Sequence, residues 1–155
     1  MDIKILCFGS LDKDFFIKSF NEYQSRIKNY SKFEVIELKE EFNKEDENNK
    51  IINSKAILEK LKSYSEYEII CLNVNSKIIS SEELANIIKT NKNFKKAKLL
   101  FLIGPSDGFS KELLEQKFTK ISLGNITLPY QLFRIILAEQ IYRSFKIIKN
   151  EKYHK

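Results

Sequence analysis

Short apolar segments alternate with helical patterns along the whole chain, and this alternation constrains the fold more than any other feature of the sequence. The apolar segments are residues 3–8, 33–38, 68–74, 98–103 and 120–123. Between the first two, Phe16, Phe20, Tyr23 and Ile27 recur at the spacing of one helix face. Segments 68–74 and 98–103 are apolar almost throughout rather than at alternate positions, as in strands buried on both faces. We therefore predict an α/β protein with a mostly parallel sheet flanked by helices.

The connecting segments carry distinct helix and loop patterns. "SSEELANII" (80–88) opens with a capping box, in which Ser80 and Glu83 satisfy each other's backbone amides. "KELLEQKF" (111–118) predicts a short helix, and residues 130 to about 148 predict a long final helix. Residues 39–50, "KEEFNKEDENNK", are polar and predict a loop that leads into a further helix carrying Ile57, Leu58 and Leu61.

The length and the cysteine content predict one domain that needs neither a disulfide nor a metal. A chain of 155 residues is typical of a single domain, here 1–155, and it buries enough surface to fold alone. Cys7 and Cys71 lie in apolar strands and are predicted to be free core thiols. No CxxC motif or Cys/His cluster is present, so we expect no metal site. Because the sequence shows neither a signal peptide nor an apolar run long enough for a membrane span, we expect a cytoplasmic protein that does not bind membranes.

The formal net charge of +6 is compatible with two interpretations. A polyanion such as RNA suits a positive surface, and a lysine-rich soluble surface explains the same total. The distribution is uneven, since residues 37–50 are mostly acidic and the last thirteen residues are basic. That basic end carries Arg143, Lys146, Lys149, Lys152 and Lys155 against a single Glu151. We therefore expect the cationic surface at the C-terminus.

Glycine, proline and small polar residues follow the predicted strands at positions 9–10, 73–77, 104–108 and 123–129. In parallel sheets ligands bind beyond the carboxyl ends of the strands, so these turns are the candidate binding segments. "GPSDGFSK" is not a phosphate-binding P-loop, because three residues rather than four separate its glycines and Phe109 follows the second. A Rossmann GxGxxG motif is absent from the sequence, and Asn73 stands where a phosphoacceptor receiver domain needs a carboxylate.

The final helix is apolar around almost its whole circumference, whereas a helix on one sheet needs only one apolar face. We therefore predict that a second copy of the chain covers it. Its polar stripe holds Glu139, Arg143 and Lys146, and the first two are four residues apart and can pair. A structural pair and a functional arginine both fit this spacing. Similarly, Tyr153 and His154 fit either a solvated tail or a site where RNA bases stack.

Five segments together resemble a known family. They are "FNEYQSRI" (20–27), "SSEELA" (80–85), "FLIGPSDGFS" (101–110), "ITLPYQLFRIILAEQIYRSFKI" (126–147) and the closing "YHK". The whole chain resembles the bacterial large-subunit ribosomal RNA methyltransferase H family, of the SPOUT (alpha/beta-knot) superfamily. The resemblance implies a C-terminal trefoil knot and a homodimer. It also implies transfer of a methyl group from S-adenosylmethionine to N3 of a pseudouridine in 23S rRNA, on the assembled ribosome.

The same resemblance implies a set of cofactor contacts and some departures from the family pattern. The contacts are Leu72, Gly104, Leu123, Gly124, Asn125, Ile126, Thr127 and Leu128. The departures are Asn73 for an aspartate, Ser76 and Pro105 for glycines, Gly124 for a serine and Tyr130 for a histidine. All of them fall around the expected cofactor pocket. Pro105 in addition removes a backbone donor.

The expected catalytic residues are His154, Tyr153 and Arg143. N3 must lose its proton during methyl transfer, and His154 is the one side chain with an unperturbed pKa near neutrality. We expect Tyr153 to accompany it and Arg143 to hold RNA phosphate, with the tail reaching the cofactor of a partner subunit. Two other classes remain open. One is a non-catalytic RNA- or ribosome-binding module that has lost the cofactor, and the other is a flavodoxin-like interaction domain.

Overall fold

The computed structural model describes residues 1–42 and 44–153. The elements in chain order are β1 (Asp2–Phe8), α1 (Asp14–Lys28), β2 (Lys32–Leu38), α2 (Asp46–Leu61), a 3-10 turn (Lys62–Tyr64), β3 (Glu68–Leu72), α3 (Ser81–Phe94), β4 (Lys98–Ile103), α4 (Lys111–Leu114), β5 (Thr119–Ile121) and α5 (Tyr130–Ile148). Strands and helices alternate as the sequence predicts. The strands form one sheet of order β2-β1-β4-β3-β5, in which every ladder is parallel.

Two hydrophobic clusters fix the layers on either side of this sheet. On one face, side chains such as Ile5 and Phe101 pack against α1, α3 and α5. On the other, Leu6 and Leu100 pack against α2 and α4. Neighbouring residues of β1 and β4 thus enter opposite clusters, which explains why these strands are apolar at successive positions. The α/β fold with a parallel sheet covered on both faces is confirmed.

Several boundaries differ from the sequence-based prediction. The segment 39–50 is not all loop, because α2 begins at Asp46. The helix predicted over 111–118 ends at Leu114, and the last strand is residues 119–121 rather than 120–123. The third strand ends at Leu72, two residues early. The capping box is present as predicted, with Ser80 accepting from the Glu83 amide and Glu83 accepting from the Ser80 amide.

The final helix, α5, packs between α1 and α3, so its neighbours in the same chain cover most of its apolar circumference. Ile135, Leu137, Ala138, Ile141 and Phe145 are buried there. Leu132 is 37% exposed, and Ile136 is half-buried. The apolar circumference of α5 is therefore no evidence for a second copy of the chain, because α1 and α3 of the same chain cover most of it.

Both cysteines are free and buried, as predicted. Burial raises the pKa of each thiol to about 12, so both stay protonated and unreactive near neutral pH. In the described ranges, no three His, Cys, Asp or Glu side chains are grouped as metal ligands. None of the helices within those ranges is long and apolar enough to cross a bilayer.

Candidate active site

A cavity of about 390 Å³ lies at the carboxyl ends of β3, β4 and β5. Three separate segments form most of its wall, namely residues 72–75, 103–109 and 121–128. Lys50, Leu114 and Phe133 complete it. Its volume falls in the range typical of small-molecule sites, and its position at the strand ends is where parallel sheets bind ligands.

The cavity brings together almost all of the cofactor contacts expected from the sequence. Seven of the eight expected residues line it, namely Leu72, Gly104, Leu123, Gly124, Ile126, Thr127 and Leu128. Asn125 is exposed and does not belong to the lining. Residues about fifty positions apart in the sequence thus share one wall, because β3, β4 and β5 end at the same edge of the sheet.

Backbone bonds hold the loop 122–128 against the end of β3. The Asn73 amide donates to the Ile121 carbonyl at 2.9 Å, and the Ile79 amide donates to the Ser122 carbonyl at 3.0 Å. The buried Ser122 hydroxyl accepts from the Gly124 amide at 3.2 Å and donates to the Gly124 carbonyl at 2.8 Å. Gly124 has a φ of +147°, which side-chain-bearing residues rarely adopt. This turn directs residues 126–128 into the cavity wall.

The opposite wall depends on close contact between Gly104 and an aromatic ring. A Cβ atom on Gly104 would lie 2.8 Å from Cζ of Phe109, so this position accepts only glycine without a shift of the ring. Pro105 is buried, and its carbonyl accepts from the Gly108 amide at 3.0 Å in a tight turn. The result is a narrow slot between backbone and apolar side chains. An adenosyl group, which needs apolar walls and a few backbone polar atoms, fits these residues.

Of the five residues expected to depart from the family pattern, Asn73, Pro105 and Gly124 line the cavity, whereas Ser76 and Tyr130 are not among its lining residues. The Asn73 carboxamide accepts from the Asn75 amide at 3.1 Å, a turn contact that a carboxylate also makes. The Tyr130 hydroxyl donates to the Ser10 carbonyl at 3.3 Å, and its ring lies against Gly9. Tyr130 therefore ties the start of α5 to the β1–α1 turn.

The expected catalytic residues Arg143 and Tyr153 lie together on Glu139. The Arg143 guanidinium donates to the Glu139 carboxylate at 2.7 and 3.0 Å, which confirms the predicted pair. The Tyr153 hydroxyl donates to the same oxygen at 3.1 Å, and Arg143 lies 4.8 Å from the centre of the Tyr153 ring. Tyr153 also packs edge-on against Tyr142. His154, the third expected residue, lies outside the described residues.

This C-terminal cluster and the cavity do not meet within one chain. Arg143 follows Phe133, which lines the cavity, by ten residues of the same helix. At 1.5 Å per residue the two backbone positions are about 15 Å apart along the axis of α5. The contacts of Tyr153 hold the start of the tail near Glu139. In a single subunit the described members of the expected catalytic group, Arg143 and Tyr153, therefore lie apart from the expected cofactor site.

Tyr153 is not suited to act as a base. Burial, together with the neighbouring Glu139 carboxylate, raises the pKa of Tyr153 to about 12. Its hydroxyl is protonated at neutral pH and donates a hydrogen bond. Of the three expected catalytic residues, Tyr153 thus fits the role of an anchor and a stacking surface.

We expect this raised pKa to appear in an ultraviolet titration of phenolate formation. Burial raises the pKa of Tyr67 to about 12 as well and also raises the pKa of Tyr30, so three tyrosines titrate late in the native protein. Tyr153→Phe should remove one of them. The pKa of Tyr153 is higher in the folded state than its ordinary value near 10. The stabilisation that Tyr153 contributes is therefore complete below about pH 10 and is lost as the pH rises towards 12. An unchanged late-titrating fraction in Tyr153→Phe would contradict this assignment.

Three residues that no sequence pattern singled out as site residues are prominent in the structure. Lys50 and Asp107 line the cavity, and Arg134, which follows the lining residue Phe133 in α5, is 1% exposed and donates to Glu37 and to the Gly9 carbonyl. Lys50 falls in the segment interpreted as a loop, and Asp107 in the rejected phosphate-loop motif. A buried arginine has no sequence signature other than an apolar helical context, which Arg134 does have.

Comparison with known proteins agrees with this geometry. A family model described as "Predicted SPOUT methyltransferase" matches residues 1–154. "Ribosomal RNA large subunit methyltransferase H" of Mesoplasma florum is 64% identical over 155 residues, with complete coverage of both chains. The protein of that name from Mycoplasma mycoides is 59% identical, again with complete coverage of both chains. That from Caldicellulosiruptor bescii is 39% identical and covers 99% of each.

A solved structure supports the fold. The structure of a "probable methylase family protein" from Haemophilus influenzae Rd KW20 superimposes with a TM-score of 0.55 at 11% identity. The alignment covers 96% of the present chain and 66% of the other, so the chain spans about two thirds of that protein.

Proposed function

The chain belongs to the SPOUT methyltransferase family, among the large-subunit ribosomal RNA methyltransferases H, and from this premise we propose that it transfers a methyl group from S-adenosylmethionine to N3 of a pseudouridine in 23S rRNA. The acceptor lies in the assembled ribosome, so the site of action is the cytoplasm. One observation carries the proposal. Seven residues that the family resemblance assigns to the cofactor converge on a single cavity of suitable size at the strand ends.

The residues of the cavity position the cofactor. S-adenosylmethionine, when bound, supplies a methyl group that its sulfonium makes electrophilic. Gly104 and Phe109 form one wall, and the turn at Gly124 directs Leu128 to the other. These residues exclude water and fix the reacting carbon relative to the nucleophile. Because in-line transfer needs the two atoms about 3–3.5 Å apart, such positioning is the main contribution of the protein.

The tail supplies the groups that act on the RNA. His154 takes the N3 proton. The unperturbed pKa of an imidazole lies near neutrality, so the neutral side chain, which can accept a proton, is present near pH 7. Tyr153 offers an aromatic ring, with its hydroxyl protonated, on which a base stacks, and Arg143 holds a phosphate. The separation of about 15 Å along α5 favours a homodimer in which the tail of one subunit reaches the cavity of the other. The trefoil knot expected from the resemblance remains part of this proposal.

The decisive test is the mass of the RNA product. Ribosomes from a strain without the modification are incubated with the protein and S-adenosylmethionine, and fragments of 23S rRNA are mapped by mass spectrometry. One fragment containing pseudouridine should gain one methyl group. No gain on assembled ribosomes, with the cofactor bound, would refute the proposal.

A non-catalytic ribosome-binding module is the second candidate. Pro105 favours it, because this residue lines the cavity without a backbone donor. Titration calorimetry with S-adenosylmethionine separates the two functions, since the module alone would give no heat of cofactor binding.

Arg143→Ala should weaken binding to ribosomes most strongly at low salt, and the difference from the wild type should shrink as salt rises. The loss of one phosphate contact lowers the slope of log affinity against log salt by about 1. Lys92→Ala, an exposed cation on α3, is the matched control. Filter binding at several salt concentrations measures both variants. If Arg143→Ala gives the wild-type curve, its ion pair with Glu139 has only a structural role.

A further inference from the structure

Only two charged side chains, Lys50 and Asp107, belong to the lining found for the cavity in the described part of the chain. The other lining side chains are apolar or uncharged. Lys50 lies on α2, and Asp107 lies in the turn between β4 and α4. The two charges are of opposite sign and come from separate elements. Neither residue is among those that the family resemblance assigns to the cofactor.

Buried polar side chains hold Lys50 beside the cavity. Asn53 exchanges two hydrogen bonds with the backbone of Glu41, at 2.8 and 2.7 Å. Asn49 does the same with the backbone of Lys44, at 3.1 and 3.0 Å. These hydrogen bonds hold the backbone of Glu41 and Lys44 against α2. On this face of the helix, carboxamide side chains make the contacts that apolar side chains usually make.

A second set of contacts joins α2 and its preceding segment to the cavity wall. The buried Ser54 hydroxyl accepts from the Ser110 amide at 2.8 Å. The Glu40 carboxylate accepts from the Ser106 amide at 2.6 Å. The segment 104–110, which contains Asp107, is therefore bonded to the region that contains Lys50. The relative position of the two charges is fixed by the fold rather than by their own side chains.

Both charges are available to a ligand. Within residues 1–42 and 44–153, no hydrogen bond or ion pair to the Asp107 carboxylate is present. Lys50 pairs with Glu47 at 3.2 Å, but the Glu47 side chain is 72% exposed. An exposed pair of this kind is weak, so Lys50 can exchange Glu47 for a ligand carboxylate at little cost.

We propose that Lys50 and Asp107 bind the amino-acid end of S-adenosylmethionine. That end carries a carboxylate and an ammonium group, which match a cation and an anion on the protein. Lys50 donates to the carboxylate and Asp107 accepts from the ammonium, while the apolar slot beside Gly104 takes the adenosine. This inference rests on the proposed function. It adds the property that the cavity distinguishes the complete cofactor from adenosyl compounds without an amino acid.

The test compares two ligands by titration calorimetry. S-adenosylmethionine has the amino-acid end, and 5′-methylthioadenosine has the adenosine and a thioether sulfur without it. Lys50→Met should lower the affinity for S-adenosylmethionine by about tenfold and change the affinity for 5′-methylthioadenosine by less than about twofold. The reason is that a charge-assisted hydrogen bond is lost only with the first ligand. Asp107→Asn should behave in the same way. Lys55→Met, an exposed lysine of α2, is the matched control and should affect neither ligand.

The outcomes separate the inference from the proposed function. If Lys50→Met and Asp107→Asn bind S-adenosylmethionine as tightly as the wild type, the inference is overturned. It is overturned too if the variants lower the affinity for both ligands equally, because Lys50 and Asp107 would then only support the cavity wall. If the wild type binds neither ligand, the cofactor site itself is refuted, and the inference is refuted with it.

Discussion

Arg134→Ala is expected to lower the free energy of unfolding by about 3–4 kcal/mol, because it removes a large buried side chain and leaves backbone oxygens without a donor. The Arg134 side chain is 2% exposed. Its guanidinium donates to Glu37 at 2.6 Å and to the Gly9 carbonyl at 2.6 Å. It thereby joins the start of α5 to the ends of β1 and β2. Urea unfolding measures the loss.

Two further variants distinguish the sources of this stabilisation. Arg134→Met keeps most of the volume and should recover part of the loss, since only the hydrogen bonds and the ion pair are removed. Arg26→Ala, which changes an arginine with a side chain 42% exposed, should cost much less than Arg134→Ala, because an exposed ion pair contributes little. If Arg134→Ala is no more destabilising than Arg26→Ala, Arg134 does not hold α5 to the sheet.

His154→Ala should lower the rate of rRNA methylation by about a hundredfold or more, because general-base catalysis typically contributes a factor of that size. Binding of S-adenosylmethionine should stay near the wild-type affinity, since the residues that line the cavity are unchanged. Single-turnover methylation of unmodified ribosomes measures the first quantity, and calorimetry measures the second.

Lys155→Ala is the control for His154→Ala, because it changes the neighbouring tail residue without removing a titratable group near neutrality. It should methylate at close to the wild-type rate, apart from a modest loss of ribosome affinity. Unchanged turnover in His154→Ala would remove the base assigned here. Another group would then have to accept the N3 proton.

The sheet and the cavity were the most predictable parts of the molecule. The strands are apolar at successive positions, and the turns that follow them carry Gly104 and Gly124, so the pattern itself locates both the fold and the edge where ligands bind. The family resemblance then selected eight residues for the cofactor, and seven of them line the cavity. The family match also decides against the flavodoxin-like interaction domain.

The features that could not be predicted depend on contacts between distant residues. The first turns of α2 carry Asn49 and Asn53, which look like loop residues but are buried by hydrogen bonds to the preceding segment. Arg134 is buried with Glu37 and Gly9 as its hydrogen-bond partners, and both come from the N-terminal part of the chain. No local spacing reveals either arrangement. The same holds for Tyr153, which docks on Glu139.

Mixing two inactive variants tests most directly whether the cavity of one subunit works with the tail of another. Gly104→Val should block the cavity, because even a Cβ at this position lies 2.8 Å from the Phe109 ring. His154→Ala keeps the cavity and loses the base. After the two are unfolded together and refolded, mixed dimers contain one site with an intact cavity and an intact tail. We predict that activity returns to about a quarter of the wild-type value, because about half of the dimers are mixed and each has one working site of two. A mixture that contains mixed dimers but stays as inactive as either variant alone would contradict the account.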